Sequence, residues 1–225
     1  MRTRPGLEIV VEGGGTDKGF EALLAGTSQI AMAAREISQS ERSAFAAKKV
    51  VVEEFVVARS AIAVFKNKAN PVRELEISAL RRIFDGSVTN WRDVGGPDLP
   101  VTIILRNPTS NTAEDFRHLV MAPSTLTERG PVAISGQDVV TQIESAPGAV
   151  GFAYFDRVRS QLDTVDVLRV RTGEGPAKLV FLKYLFFYTR APLGDTVKAL
   201  IAFTKTPAAN EIALEQGYFG LEDPI

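Results

Sequence analysis

The stretch Leu7-Glu8-Ile9-Val10-Val11-Glu12-Gly13-Gly14-Gly15-Thr16-Asp17-Lys18-Gly19-Phe20 sets the pattern for the whole chain. Leu7 to Val11 reads as a buried strand that stops abruptly at three glycines. Phe20, Leu23 and Leu24 then repeat at the i, i+3, i+4 spacing of a helix face, and Gly26 ends that helix. A strand, a glycine-rich turn and a helix in direct succession form an α/β unit. Glycines let the backbone approach a ligand, and Thr16 can cap the helix while its hydroxyl faces outward. Free N–H groups at the helix start add a positive end for an anion. The stretch is not a P-loop, because no Gly-Lys-Ser/Thr follows at the required spacing. Lys18 also stands where a dinucleotide fingerprint needs its third glycine. Alone, the junction also reads as a glycine-rich turn without a ligand.

The same succession recurs downstream. Ile30 to Ala33 reads as a strand, as do Val50 to Val57 and Ala61 to Phe65, which Arg59-Ser60 separates. Leu80, Ile83 and Phe84 mark a helix closed by Gly86, and Val101 to Leu105 is a strand. Phe116, Leu119 and Val120 form the apolar face of the next helix. Ser135-x-x-Asp138 caps a helix carrying Val139, Val140 and Ile143, and Val150 to Phe155 and Leu179 to Thr189 are strands. Val197, Leu200 and Ile201 define one C-terminal helix, while Thr206-Pro207 opens another with a cap and an N1 proline. This alternation predicts α/β layers with largely parallel sheets.

A second junction resembles the first in its chemistry: Leu105-Arg106-Asn107-Pro108-Thr109-Ser110-Asn111-Thr112-Ala113-Glu114. Ser110, Asn111 and Thr112 supply polar groups at a helix start, and Asn111-x-x-Glu114 fits a capping box. Arg106 stands at the strand end, where its planar fork can meet two anion oxygens. The bland alternative is a well-capped helix beside a surface arginine. Two hydroxyl-bearing helix starts are more informative than either alone, because ligands of α/β sheets sit outside the carboxyl ends of the strands.

Composition excludes several function classes. Twenty-six basic residues face 27 acidic ones, giving a formal net charge of −1, so no bulk positive field draws nucleic acid or an acidic membrane. Cysteine is absent, which removes disulfides, thiolate metal sites and cysteine nucleophiles. His118 is the only histidine, too few for a multi-histidine metal site. No apolar run approaches the roughly 18 residues needed to cross a bilayer, and the start Met1-Arg2-Thr3-Arg4-Pro5 lacks the apolar core of a signal peptide. Neither a metal nor a cofactor is expected, and no catalytic residue is assigned.

Four stretches together resemble the phosphate-binding, cluster-type solute-binding proteins of ABC transporters: Glu12 to Gly26 with Gln29 to Arg35, Ile62-Ala63-Val64 leading to Asn70-Pro71, Leu80 to Asp98, and Arg106 to Phe116. Pro147 to Phe152 and Glu215-Gln216-Gly217-Tyr218 are supporting matches. Thr89-Asn90-Trp91-Arg92-Asp93-Val94-Gly95-Gly96-Pro97 is the most specific of these, with Trp91 expected to anchor packing rather than touch a ligand. The resemblance implies an α/β, two-lobed periplasmic binding protein fold of type II. Residues 1–66 and 171–225 would form one discontinuous lobe and 71–165 the other, joined by crossovers at 67–70 and 166–170. The family begins with a further strand and helix. This sequence starts after them, at Pro5-Gly6-Leu7, so the first lobe is expected to be incomplete and inclined to self-associate.

The same resemblance implies inorganic phosphate or a related oxyanion as ligand, held between the lobes, and an ABC permease of the inner membrane as partner. It places the protein in the periplasm or outside the cell, a membrane-anchored lipoprotein included, with no role for nucleic acid. Thr16, Arg35, Arg106, Ser110 and Thr112 match ligand positions of the family, and Asn111 joins them as a polar residue at the helix start. Asp17, beside Thr16, is a candidate acceptor that would favour phosphate, whose second pKa as a phosphoester is about 6, over sulfate, which has no such proton. Its alternative role is to favour the first turn of its helix. The sequence departs from the family at Asp17, Lys18 and Asn111, where small residues are usual, and at Ala33-Ala34, where serines are common. The competing function is a phosphate-ester enzyme or an effector-sensing domain on the same fold. For an enzyme, Glu12, Asp17 and Glu36 are the acids nearest the junctions. A third reading is a derivative that has lost its ligand.

Overall fold

A computed structural model describes residues 8–158, 161–216 and 218–221. In chain order they form α1 (Gly15–Ala25), β1 (Ile30–Ala33), α2 (Gln39–Ala47), β2 (Val52–Asn67), β3 (Glu74–Glu76), α3 (Ile77–Phe84), β4 (Thr102–Arg106) and α4 (Asn111–Phe116). There follow β5 (Val132–Ala133), α5 (Gly136–Glu144), β6 (Ala149–Tyr154), α6 (Phe155–Val158), β7 (Val165–Val167), β8 (Arg169–Arg171), β9 (Phe181–Arg190), α7 (Asp195–Phe203) and α8 (Pro207–Glu215). Trp91–Val94 makes a 3-10 turn, and Arg117–Met121 continues α4 as a π-helical turn carrying the exposed His118. The chain divides into two compact units, Met1–Val57 with Leu185–Phe203, and Ala58–Tyr184 with Thr204–Ile225.

In the first unit β1 runs antiparallel to the second half of β9, pairing Ile30 with Thr189 and Ala33 with Phe186. Phe20 and Leu23 on α1, Ala31 and Ala33 on β1, Phe45 on α2, and Phe186 and Tyr188 on β9 close one apolar cluster. The expected strand at Leu7–Val11 is not formed. Glu8 to Gly13 has no regular structure, Val10 and Val11 are 76 % and 67 % exposed, and Leu7 lies outside the described residues. An apolar run becomes a strand only when a neighbour takes its N–H and C=O groups, and among the described residues none does.

The second unit is a sheet with helices on both faces. β2 pairs antiparallel with β6 and with β7, while β4 runs parallel to both β6 and β5. β3 and β8 form a separate parallel pair. The expectation of largely parallel sheets is therefore corrected to mixed ones, the antiparallel pairs being those of β2 and β9. Successive strand residues face opposite sides, and the two cores follow that alternation. Ile62, Val64, Ile103, Leu105, Val150 and Phe152 pack with Leu80, Phe84, Trp91 and Phe116. Ala63, Phe65, Ile104, Ala149 and Ala153 pack on the other side with Val139, Val140 and Ile143. Burial on both faces is why these strands read as continuous apolar runs. Phe116 stacks on Phe152 at 3.8 Å, and Phe84 meets both edge-on.

Arg59-Ser60 does not break the chain into two strands; β2 runs through it unbroken. Arg59 exchanges backbone hydrogen bonds with Phe219 and its guanidinium donates to Gly220 O, so a polar residue here still has a β-type partner. Two caps are as the sequence indicates. Ser135 accepts from Asp138 N–H at the start of α5, and Thr206 from Ala209 N–H at the start of α8, with Pro207 in the first turn. Trp91 is fully buried and donates its indole N–H to Gly148 O at 2.9 Å, which fits a packing anchor.

Candidate functional site

The first cluster lies in the first unit, at the start of α1. Gly14 and Gly15 adopt φ of 140° and 85°, a region that side chains disfavour, and this turn sets the direction of the helix. Gly14 is the N-cap, and among the described residues no side chain caps α1. Thr16 is therefore not the cap that the sequence suggests but a residue of the first turn. Its Oγ1 accepts Ala34 N–H at 3.2 Å, tying α1 to the end of β1. The hydroxyl proton is then left to donate elsewhere, because a hydroxyl both accepts and donates.

Arg35 follows immediately and is engaged on every side. Its Nη1 donates to Glu41 Oε2 at 2.9 Å and to Glu36 O at 3.1 Å. Its Nη2 donates to Glu41 Oε1 at 2.9 Å and to Asp17 Oδ1 at 2.5 Å. The guanidinium carbon also sits 5.4 Å from the Phe20 ring centroid. Glu41 is itself fixed by the capping box of α2, in which Ser38 donates both its N–H and its hydroxyl to Glu41 Oε2. The hydrogen bond from Arg35 holds the Glu41 carboxyl down to about 2, and the same bond raises the Arg35 pKa further above its usual range. The backbone beyond Arg35 is pinned as well. Ile37 N–H donates to the buried Tyr188 hydroxyl at 2.9 Å, and that hydroxyl donates to Glu54 at 2.7 Å.

The second cluster lies in the second unit, where β4 leads into α4. Ser110, in extended conformation, is the N-cap: its Oγ accepts Ala113 N–H at 3.2 Å and donates to Asn107 O at 2.7 Å. The capping box expected at Asn111-x-x-Glu114 is not formed: the cap lies one residue earlier, at Ser110, and its N3 residue is Ala113, which has no side-chain acceptor to complete a box. Asn107 Oδ1 accepts from both the N–H and the hydroxyl of Thr109, which fixes the turn before Ser110. Asn111 is the exposed first residue of α4 and Thr112 is 5 % exposed.

Arg106, the last residue of β4, contrasts with Arg35. It donates Nε to Ala133 O at 3.2 Å and Nη2 to Ile134 O at 3.4 Å, and it makes no ion pair among the described residues. Partial burial lowers its pKa, only partly offset by the more distant Asp138 and Tyr154. It is a partly desolvated cation whose Nη1 has no partner among the described residues, the state that an anion would relieve. Asp138 does not serve as that anion: it forms no ion pair with Arg106 among the described residues, and its oxygens accept Ile134 N–H at 2.8 Å and Gln142 Nε2 at 3.1 Å.

Two groups of polar residues escape a reading of the sequence. Glu41 was signalled by Ser38-x-x-Glu41, a capping-box spacing. Asp115, Lys183 and Tyr154 had no such signal. Asp115, 7 % exposed on α4, accepts Lys183 Nζ and the Tyr154 hydroxyl, each at 2.6 Å.

The mixed α/β architecture with two compact units is that of the periplasmic binding proteins. Residues 1–213 match the PBP superfamily domain, and the chain belongs to that family. The phosphate-binding protein PstS of Bacillus subtilis (strain 168) is 27 % identical over 232 residues, covering 99 % of this chain and 74 % of that protein. Protein SphX of Synechococcus elongatus is 27 % identical over 212 residues, 91 % of this chain and 62 % of its own length. The chain thus spans between about three fifths and three quarters of these relatives. Among solved structures, PstS from Borrelia burgdorferi superposes with a TM-score of 0.79 at 20 % identity, covering 92 % of this chain and 85 % of the other. An ABC-type phosphate transport receptor from Vibrio cholerae gives 0.73 at 24 % identity, covering 92 % and 86 %. At those identities the structural likeness establishes the fold.

Proposed function

We propose that this protein is the substrate-binding component of an ABC importer, acting outside the cytoplasmic membrane, and that its ligand is phosphate or a similar tetrahedral oxyanion. The observation that carries this reading is Arg106, a partly buried guanidinium with no carboxylate partner among the described residues, standing at the end of the strand that leads to Ser110 and Thr112 on α4. A charge-assisted, planar donor set of that kind suits an oxyanion. Relatives named as phosphate-binding proteins point to phosphate among the oxyanions. Thr16 and Arg35 in the first unit, and Asn111 at the start of α4, are the further ligand residues that the family resemblance proposes.

Binding without catalysis fits the acids near these donors. Glu41 is held by Arg35 and Ser38, and Asp115 by Lys183 and Tyr154, so neither stands ready as a general base. An ABC permease is the partner such a receptor requires.

Calorimetric titration with inorganic phosphate tests the reading directly. Wild type should bind. Arg106→Ala should lose about 2–5 kcal/mol of binding free energy while melting at a similar temperature. Absence of phosphate binding by the folded wild type, or an undiminished affinity in Arg106→Ala, overturns it. Turnover of a phosphomonoester would instead favour an enzyme.

A further inference from the structure

We propose that Asp17 is a built-in competitor of the anion: its carboxylate holds the outermost N–H of Arg35, beside Thr16, and must be displaced when phosphate binds, so that it lowers affinity. The inference rests on the reading of this chain as a phosphate receptor in which Thr16 and Arg35 take part.

Each terminal nitrogen of Arg35 carries two hydrogens. Nη1 spends its pair on Glu41 and Glu36 O, while Nη2 gives one to Glu41 and one to Asp17. The two carboxylates are not equivalent. Glu41 makes a two-pronged contact, its side chain is only 21 % exposed, and Ser38 fixes it through the capping box. Asp17 makes a single contact, its side chain is 81 % exposed, and nothing else among the described residues holds it. Only the Asp17 contact can be exchanged without dismantling α2. Asp17 also directly follows Thr16, whose Oγ1 already accepts Ala34 N–H, which leaves its own proton to donate. An oxyanion taking that proton meets the Asp17 carboxylate as a like charge and as a rival for Nη2. With Asp17 in place, one guanidinium faces two carboxylates, a local surplus of negative charge where an anion is to be received.

This inverts the role the sequence suggests for Asp17, that of an acceptor for the phosphate proton, and the two roles give opposite signs. The test is titration of the full chain with inorganic phosphate and with sulfate, using wild type, Asp17→Asn, Asp17→Glu, Arg35→Gln and the Asp17→Asn/Arg35→Gln double variant. An exposed ion pair is weak, so Asp17→Asn should bind both anions about two- to fivefold more tightly, and Asp17→Glu should stay near wild type. The gain should disappear in the Arg35→Gln background and shrink as sodium chloride screens the exposed pair. Asp17→Asn should also melt slightly lower, since it removes an acid from the first turn of α1. Tighter binding together with lower stability is a combination that a purely structural Asp17 would not produce. If wild type binds phosphate and Asp17→Asn binds no more tightly, this inference falls and the receptor reading stands. Weaker phosphate binding with reduced preference over sulfate establishes the acceptor role instead. If neither wild type nor Asp17→Asn binds phosphate, both fall.

Discussion

Lys183 Nζ on β9 lies 2.6 Å from Asp115 Oδ1 on α4, and the other oxygen of Asp115 accepts the Tyr154 hydroxyl of β6 at the same distance. The side chains of Asp115 and Lys183 are 10 % and 22 % exposed, so each charge depends on the other. Removing one partner of a buried pair leaves the second desolvated, which costs about 3–5 kcal/mol. Asp115→Ala is therefore expected to lower unfolding free energy by that order in urea titration, and Asp115→Asn by less, because it can keep the tyrosine bond. Since Asp115 sits one turn beyond Ser110 and Thr112, phosphate affinity should fall alongside. A stability loss below about 1 kcal/mol would show that the pair does not anchor α4.

Acid should weaken the first cluster in a defined window. The Arg35 guanidinium and the Ser38 capping box hold the Glu41 carboxyl at about 2, below the ordinary glutamate value of about 4.3. A carboxyl depressed on folding contributes stability that is complete above the ordinary value and is lost as pH falls toward the folded one. Between about pH 4.3 and 2, wild type should therefore lose melting temperature more steeply than Glu41→Gln, which cannot titrate. Parallel melting curves for the two proteins across that range would remove Glu41 from the acid response.

Much of the fold was legible because its signals are local. Leu80, Ile83 and Phe84 mark α3, Ser135 caps α5, and Thr206-Pro207 opens α8, each through contacts within a turn or two of chain. Trp91 could be read as an anchor from its surroundings, and it is fully buried. What failed depended on distant partners. Val10 and Val11 look like strand residues, but β structure is conferred by a neighbour. α2 was missed because Phe45 is its only buried residue, too little for a visible apolar face. Thr16 was misassigned as a cap because its partner, Ala34 N–H, lies 18 residues away. The engagement of Arg35 by Asp17 and the Asp115–Lys183 contact likewise join positions 18 and 68 residues apart. Candidate donors could be recognised by type and spacing, whereas whether a carboxylate already occupied them could not.

Ser110 combines two roles that a single alanine substitution would confuse. Its Oγ accepts Ala113 N–H as the cap of α4, and in the proposed site its proton, which Asn107 O takes at 2.7 Å, turns to the anion instead. Ser110→Ala should cost about 1 kcal/mol of stability through the lost cap and should also weaken phosphate binding. Ser110→Asp separates the two effects. Aspartate caps a helix about as well as serine and is favourable at its positive end, so melting temperature should stay near wild type. A carboxylate at that position repels an incoming oxyanion, however, and phosphate binding should be lost. Calorimetry and thermal melting on the same three proteins give the result. A Ser110→Asp variant that is stable and still binds phosphate at wild-type affinity would show that Ser110 is only a cap and that the ligand lies elsewhere.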